Sequence, residues 1–204
     1  MSYLDAKWRY YARRRASGFP IDGLVFHALL SSKSPAETGQ TVTYGSNAYA
    51  DTYKGIGCMT LAAYGTGNVV SFSTDAFSGD ATYSVWFCAR DTAARGFSLL
   101  TLGGVNILTC NRPNLFLRGS SVASGISKDS WHNAILTSGG GTLTAYLDGA
   151  LAGTVAYTLS GTAVGMKNVT SSSYVHSWAN CRIYDRVLSL LEIRELAAEL
   201  TPTA

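Results

Sequence analysis

The sequence predicts an all-β chain, an antiparallel two-sheet sandwich with short helices only at its two ends. Three observations predict it. Charged residues make up 14% of the 204 residues, against about a quarter in an average globular domain. Tyr, Ser, Thr and Gly are abundant instead, which suits pleated strands joined by tight turns. Short apolar, β-branched and aromatic runs recur along the chain, punctuated by Gly, Ser, Asn and Asp.

The chain divides into two segments, a basic arm at 1–20 and a sandwich domain at 21–204. In the arm, Leu4, Trp8, Tyr11 and Arg15 recur at helical spacing over residues 2–16, and Gly18 with Pro20 ends the pattern. Lys7, Arg9, Arg13, Arg14 and Arg15 face only Asp5 there, while the rest of the chain holds 11 basic and 12 acidic residues. The net charge of +3 therefore belongs to the arm, and the body is no nucleic-acid binder by charge. An apolar stripe beside three arginines needs a partner to offset its ordering entropy. Leu4, Trp8 and Tyr11 with Arg13, Arg14 and Arg15 are read as an assembly arm that contacts a sister subunit or a larger particle. Nucleic acid is the weaker reading, because no second basic surface follows.

Strand patterns begin at Gly23–Leu30. Residues 31–60 read as irregular, with Tyr44, Tyr49 and Tyr53 interspersed. Clear strands follow at 69–72 and 82–89, and shorter apolar runs at 97–102, 105–110 and 114–118. Trp131–Thr137, a Gly139-Gly140-Gly141 turn and Thr142–Leu147 read as a hairpin; Asp148-Gly149 turns the chain into 150–157. A last strand covers 174–184. Ser189 with Glu192 three residues on is a capping box, with Leu188 and Ile193 as its staple. Ile193, Leu196, Ala197 and Leu200 form the stripe of a C-terminal helix.

Several of these residues also carry a family resemblance. Cys181-Arg182-Ile183-Tyr184-Asp185-Arg186-Val187-Leu188-Ser189 resembles the closing signature of laminin-G-like jelly rolls. Tyr83–Phe87, Trp131-His132, Tyr146-Leu147-Asp148-Gly149 and the opening Gly23–Phe26 resemble other family strands in the same order. The resemblance spans about 22–200 and implies a jelly-roll sandwich of the concanavalin A-like kind. It specifies a fold more than a ligand. Glu37-Thr38-Gly39-Gln40 adds a likeness to such domains encoded by bacteriophages. Met1–Pro20 carries no apolar run of the length a secretory leader needs, so the expectation is a virion protein released by lysis, or a cytoplasmic one.

Catalysis is not expected. Glucanases of this superfamily resemble one another in a strand bearing Glu-x-Asp-x-x-Glu, and retaining chemistry needs two close carboxyls. Here Glu37 is the sole Glu outside the C-terminal helix, where Glu192, Glu195 and Glu199 lie. His27, His132 and His176 are scattered singly and read as structural. Cys58, Cys88, Cys110 and Cys181 show no zinc spacing, and Cys88 and Cys181 read as buried thiols. No cofactor is expected. Some laminin-G-like domains bind calcium, the one alternative, but Asp75, Asp80, Asp129 and Asp148 form no compact acidic cluster.

The candidate binding face lies on the last strand. Val175, Ser177, Ala179, Cys181 and Ile183 suit the inter-sheet core. Tyr174, His176, Trp178, Asn180, Arg182 and Tyr184 alternate to the other side and combine aromatic faces with polar tips, as sugars require. Two readings stay open for that face: ligand contact, or cover by the C-terminal helix, the arm or a sister subunit. The expected function is a non-catalytic module that binds carbohydrate, displayed on an assembly such as a phage virion. A purely structural homo-oligomer or virion component is the alternative, and a glycoside hydrolase of the same fold a further one.

Overall fold

The computed structural model describes residues 20, 22–33, 35–46, 48–61, 68–75, 77, 79–90, 96–168 and 175–199. The arm residues Leu4, Trp8, Tyr11, Arg13, Arg14 and Arg15, and also Tyr174 and Leu200, lie outside the described residues.

The described chain is all-β, with two antiparallel sheets and one C-terminal helix. The strands are β1 (Leu24–Ala28), β2 (Thr43–Tyr44), β3 (Ala48–Tyr53), β4 (Ile56–Leu61), β5 (Asn68–Ser73), β6 (Ala81–Ala89), β7 (Gly96–Leu102), β8 (Val105–Asn111), β9 (Asn114–Leu117) and β10 (Ser120–Ala123). They continue with β11 (Trp131–Gly139), β12 (Thr142–Leu147), β13 (Ala150–Ala156), β14 (Ala163–Asn168) and β15 (His176–Tyr184), and α1 (Leu190–Ala198) closes the described chain. The eight-stranded sheet runs β13-β12-β11-β6-β15-β4-β3, with β1 pairing β15 beside β4. The seven-stranded sheet runs β10-β9-β8-β7-β14-β5-β2.

The 31–60 stretch corrects the sequence reading. It carries β2, β3 and β4 rather than irregular chain. Its Tyr residues lie on or at the ends of strands that mix Asp, Thr, Gly and Ala with the apolar positions, so the apolar alternation is thin. The turns behave as expected. Gly140, Gly141, Asp148 and Gly149 all take positive φ, which the right-handed twist of tight hairpins demands. Ser189 accepts from the Glu192 backbone N–H and Glu192 reaches back, completing the capping box. Leu188 and Ile193 are both buried against Tyr184 and Ile135.

The inter-sheet core is built by Phe26 stacked on Phe72, with ring centroids 3.7 Å apart, and by the inward rows of β6, β7, β8, β11 and β15. β15 does not keep one alternation along its length. Trp178 pairs Phe87 and Ala179 pairs Trp86, but Arg182 pairs Ser84. Asn180 and Cys181 therefore both stand opposite Val85, and Asn180 takes a φ of 53°. An extra residue of this kind flips the faces that follow it. Before the bulge, His176 and Trp178 point into the core; after it, Cys181 and Ile183 do.

Candidate functional site

The bulge decides the fate of the predicted face on β15. The His176 ring stacks on Phe97 of the opposite sheet at 3.9 Å, and Trp178 meets Phe97 edge-on at 5.7 Å. Trp178 is 0% exposed. Ser177 and Ala179, expected inside, face outward instead: Ser177 Oγ shares a 2.8 Å hydrogen bond with Thr60 Oγ1, and Ala179 packs with Trp86. Asn180, Arg182 and Tyr184 do lie on the outer side, but they are covered. Asn180 Oδ1 lies 2.7 Å from His27 Nε2. Arg182 makes a two-pronged ion pair with Glu199, with Nη2 at 2.6 Å from Oε1. Tyr184 packs under Leu188, Ile193 and Leu196, and its hydroxyl donates to the Pro20 carbonyl at 3.1 Å. His176, Trp178, Asn180, Arg182 and Tyr184 therefore form no open binding face. The strand is central in its sheet and closed on both sides.

A second group has the residue types of a nucleophilic triad. His132 Nδ1 lies 2.8 Å from Asp148 Oδ2, and its Nε2 lies 3.2 Å from Ser127 Oγ. The backbone N–H of Ser127 donates to that same Nε2 at 3.1 Å. A lone pair held by a fixed backbone donor is a poor general base. Asp148 also accepts from the Asn133 N–H through Oδ1 at 2.8 Å. The cluster ties the loop before β11 to the β12–β13 turn.

The remaining nucleophile candidates are the thiols. Cys58, Cys88, Cys110 and Cys181 are all buried, and burial pushes Cys88, Cys110 and Cys181 up to about 12, far from the thiolate that reacts. Among the described residues, no group of three His, Cys, Asp or Glu is placed to hold a metal. Asp129 instead accepts from the Tyr53 hydroxyl at 2.8 Å.

The open site lies on the other sheet. A groove of about 730 Å³ runs along the outer face of the seven-stranded sheet. Its wall is the Gly39-Gln40-Thr41 loop, and its floor is formed by Thr43, Ser71, Ser73, Thr101 and Gly165. Strand register explains the floor. Thr43 pairs Ser71, Ser71 pairs Gly165, Gly165 pairs Thr101, and Thr101 pairs Asn106. One row of small polar side chains thus crosses five strands, a span of about 19 Å at the usual inter-strand spacing. Val70 and Phe72 alternate with Ser71 and Ser73 on β5, and Val164 and Met166 flank Gly165 on β14. The apolar member of each alternation is buried in the core.

The groups of the groove differ in what they already bind. Thr101 Oγ1 donates to the Gly165 carbonyl at 3.0 Å, and Gln40 Nε2 donates to the Val25 carbonyl at 2.7 Å. The hydroxyls of Thr43, Ser71 and Ser73 bond to no described residue and face solvent. Among the described residues, no carboxylate, imidazole or thiol lines the groove. Sequence reasoning missed it. The signal for it in the sequence is the β5 alternation, in which Ser71 and Ser73 mark the outward side of the strand.

No protein-family model matches the chain, and no curated protein sequence matches it. Solved structures do. The binding domain of paraclostridial mosquitocidal protein 1 superposes with a TM-score of 0.65 at 13% identity, over 86% of this chain and 52% of that one. Trypanosoma rangeli sialidase gives 0.68 at 15% identity, over 87% and 33%. The receptor binding domain of botulinum neurotoxin type G gives 0.62 at 13%, over 86% and 51%. The chain spans about half the length of the toxin binding domains and a third of the sialidase. At these identities the likeness is one of fold.

Proposed function

We propose that the chain is a non-catalytic binding module whose ligand is a carbohydrate held in the groove of the seven-stranded sheet. One observation carries the reading: a groove floored by unengaged hydroxyls and, among the described residues, lined by no carboxylate, imidazole or thiol that could activate them. Hydroxyl and amide edges pair with sugar hydroxyls. Two of the similar structures are toxin domains named for binding, which supports a binding role. The sialidase likeness supports the hydrolase alternative less, because it spans only a third of that enzyme at 15% identity.

Ser71→Trp fills the floor without touching the core. Retention on a glycan array should vanish in this variant while the melting temperature stays put. Wild-type retention by Ser71→Trp overturns the groove, and release of reducing ends from a bound polysaccharide overturns the non-catalytic reading. A structural role in an assembly is the second reading. Val187, Leu190 and Leu191, exposed by 42%, 48% and 67% at the start of α1, favour it. Display on a phage particle through the basic arm belongs to that reading, and loss of assembly on deleting residues 1–17 is its test.

A further inference from the structure

Cations on this protein fall into two groups. On and around the outer face of the eight-stranded sheet three arginines have a carboxylate: Arg90 meets Asp51 at 2.6 Å, Arg186 meets Glu192 at 2.5 Å, and Arg182 meets Glu199. Two cations beside the β7–β8 end of the groove, neither among the residues that line it, do not. Lys167, on β14 two residues from Gly165, sends its Nζ to the Gly104 carbonyl at 3.4 Å, and Gly104 lines the groove. Arg118 sends Nη1 to the Asn106 carbonyl at 3.4 Å and lies over the Tyr157 ring at 4.2 Å. Asn106 is the last member of the polar row. Lys167 and Arg118 thus converge on the β7–β8 hairpin from its two sides, and neither has an ion-pair partner among the described residues.

From this arrangement we infer that the groove takes an anionic glycan, one whose carboxylate or sulfate sits against Lys167 and Arg118 at the β7–β8 end. The inference rests on the groove reading and names its ligand class. Both hydrogen bonds are long and made to neutral carbonyls, so neither cation loses a strong partner when an anion arrives. Among the described residues, no lining carboxylate repels such a ligand. Arg118 is held over Tyr157 and is therefore partly pre-oriented, which lowers the entropy cost of a charged contact. The hydroxyls of Thr43, Ser71 and Ser73 lie toward the other end of the row and would meet the uncharged part of the chain.

A glycan array carrying neutral, carboxylated and sulfated chains tests this with the full-length protein. The best hit and its neutral twin, methyl-esterified or desulfated, are then titrated calorimetrically. The expected result is about tenfold weaker binding of the neutral twin and of Lys167→Gln, with a smaller loss in Arg118→Gln. Affinity should also fall between about 50 mM and about 500 mM salt. Lys54→Gln, on the other sheet, should bind as wild type. Carboxylated against sulfated hits separate the two anion sources. Hits that are neutral and abolished by Ser71→Trp would overturn the anionic ligand and leave the groove standing. Anionic hits indifferent to Lys167→Gln and Arg118→Gln would overturn it too, placing the attraction elsewhere, on the basic N-terminal segment. An array with no hits removes both the inference and the groove.

Discussion

The two sheets present outer faces of opposite character. On the eight-stranded sheet, α1 lays Ile193 and Leu196 over Tyr184, Ile135 and Leu24. Beside that cover, Trp86, Ile56, Cys58 and Ala179 form a second apolar cluster, flanked by Tyr53 and Trp131. Arg90, Arg182 and Arg186 there are each paired with a carboxylate. On the seven-stranded sheet the outer row is Thr43, Ser71, Gly165, Thr101 and Asn106, and Thr43 and Ser71 at one end of it are open to the groove. Aromatic residues, the ordinary sign of a sugar site, are concentrated on the closed face and in the core. The lesson is that side-chain type alone does not find the site here. Cover does: one face has a helix and the other has none among the described residues.

The largest expected effect tests whether Trp178 belongs to the core or to a surface. Trp178→Ala should cost about 3–5 kcal/mol, as truncation of a fully buried tryptophan does, read from denaturant midpoints. The surviving folded fraction should keep its glycan affinity, because the groove is built on the other sheet. A loss below about 1 kcal/mol with loss of binding would return Trp178 to a ligand site and undo the contrast.

The next effect is one of pH and again belongs to the closed face. Burial, helped by the Arg182 charge, holds His27 down at about 3 against an ordinary 6.5. The unfolded chain takes up a proton in that interval and the folded chain does not. Stability from the neutral ring is thus fully present above about pH 6.5 and is lost as pH falls towards about 3. One proton corresponds to a slope of up to about 1.4 kcal/mol per pH unit. His27→Gln should flatten the stability profile by up to that slope over the window. Identical profiles for variant and wild type would show that His27 is not held neutral.

How much of this was legible beforehand follows from where local rules govern. The Asp148-Gly149 turn, the Gly140-Gly141 turn and the Ser189 capping box are set by residues a few positions apart, and they were readable. Face assignment along β15 was not, because it depends on one extra residue. Asn180 was the available signal: Asn tolerates positive φ better than most residues, and in mid-strand it marks a place where alternation can slip. Even with the right parity, cover of Arg182 by Glu199 is a long-range event that periodicity does not encode. The short β2 and the β3–β4 pair are hard to read for a different reason: β2 is two residues long, and β3 and β4 mix Asp, Thr, Gly and Ala with their apolar residues, so no clean alternation marks them. The groove was invisible because its floor is assembled from β2, β5, β14, β7 and β8, which are neighbours only after folding.

The smallest effect gives the sharpest form of the comparison, because the same substitution can be made on each face. Ser177 and Ser73 both sit on outer faces. Ser177 Oγ is buried, shares its 2.8 Å bond with Thr60, and accepts from Arg90 Nη1 at 3.3 Å. Ser73 is exposed at the groove and bonds to no described residue. Ser177→Ala should therefore cost about 1 kcal/mol or somewhat more, since it leaves two polar neighbours short of a partner in a covered site. Ser73→Ala should change stability by less than about 0.5 kcal/mol, as surface replacements without a structural contact do. Binding should invert the order. Ser73→Ala removes a hydroxyl offered to ligand and should weaken glycan affinity severalfold, while Ser177→Ala should leave it untouched. Equal stability costs at the two serines, or a binding loss confined to Ser177→Ala, would mean that the closed face is the functional one.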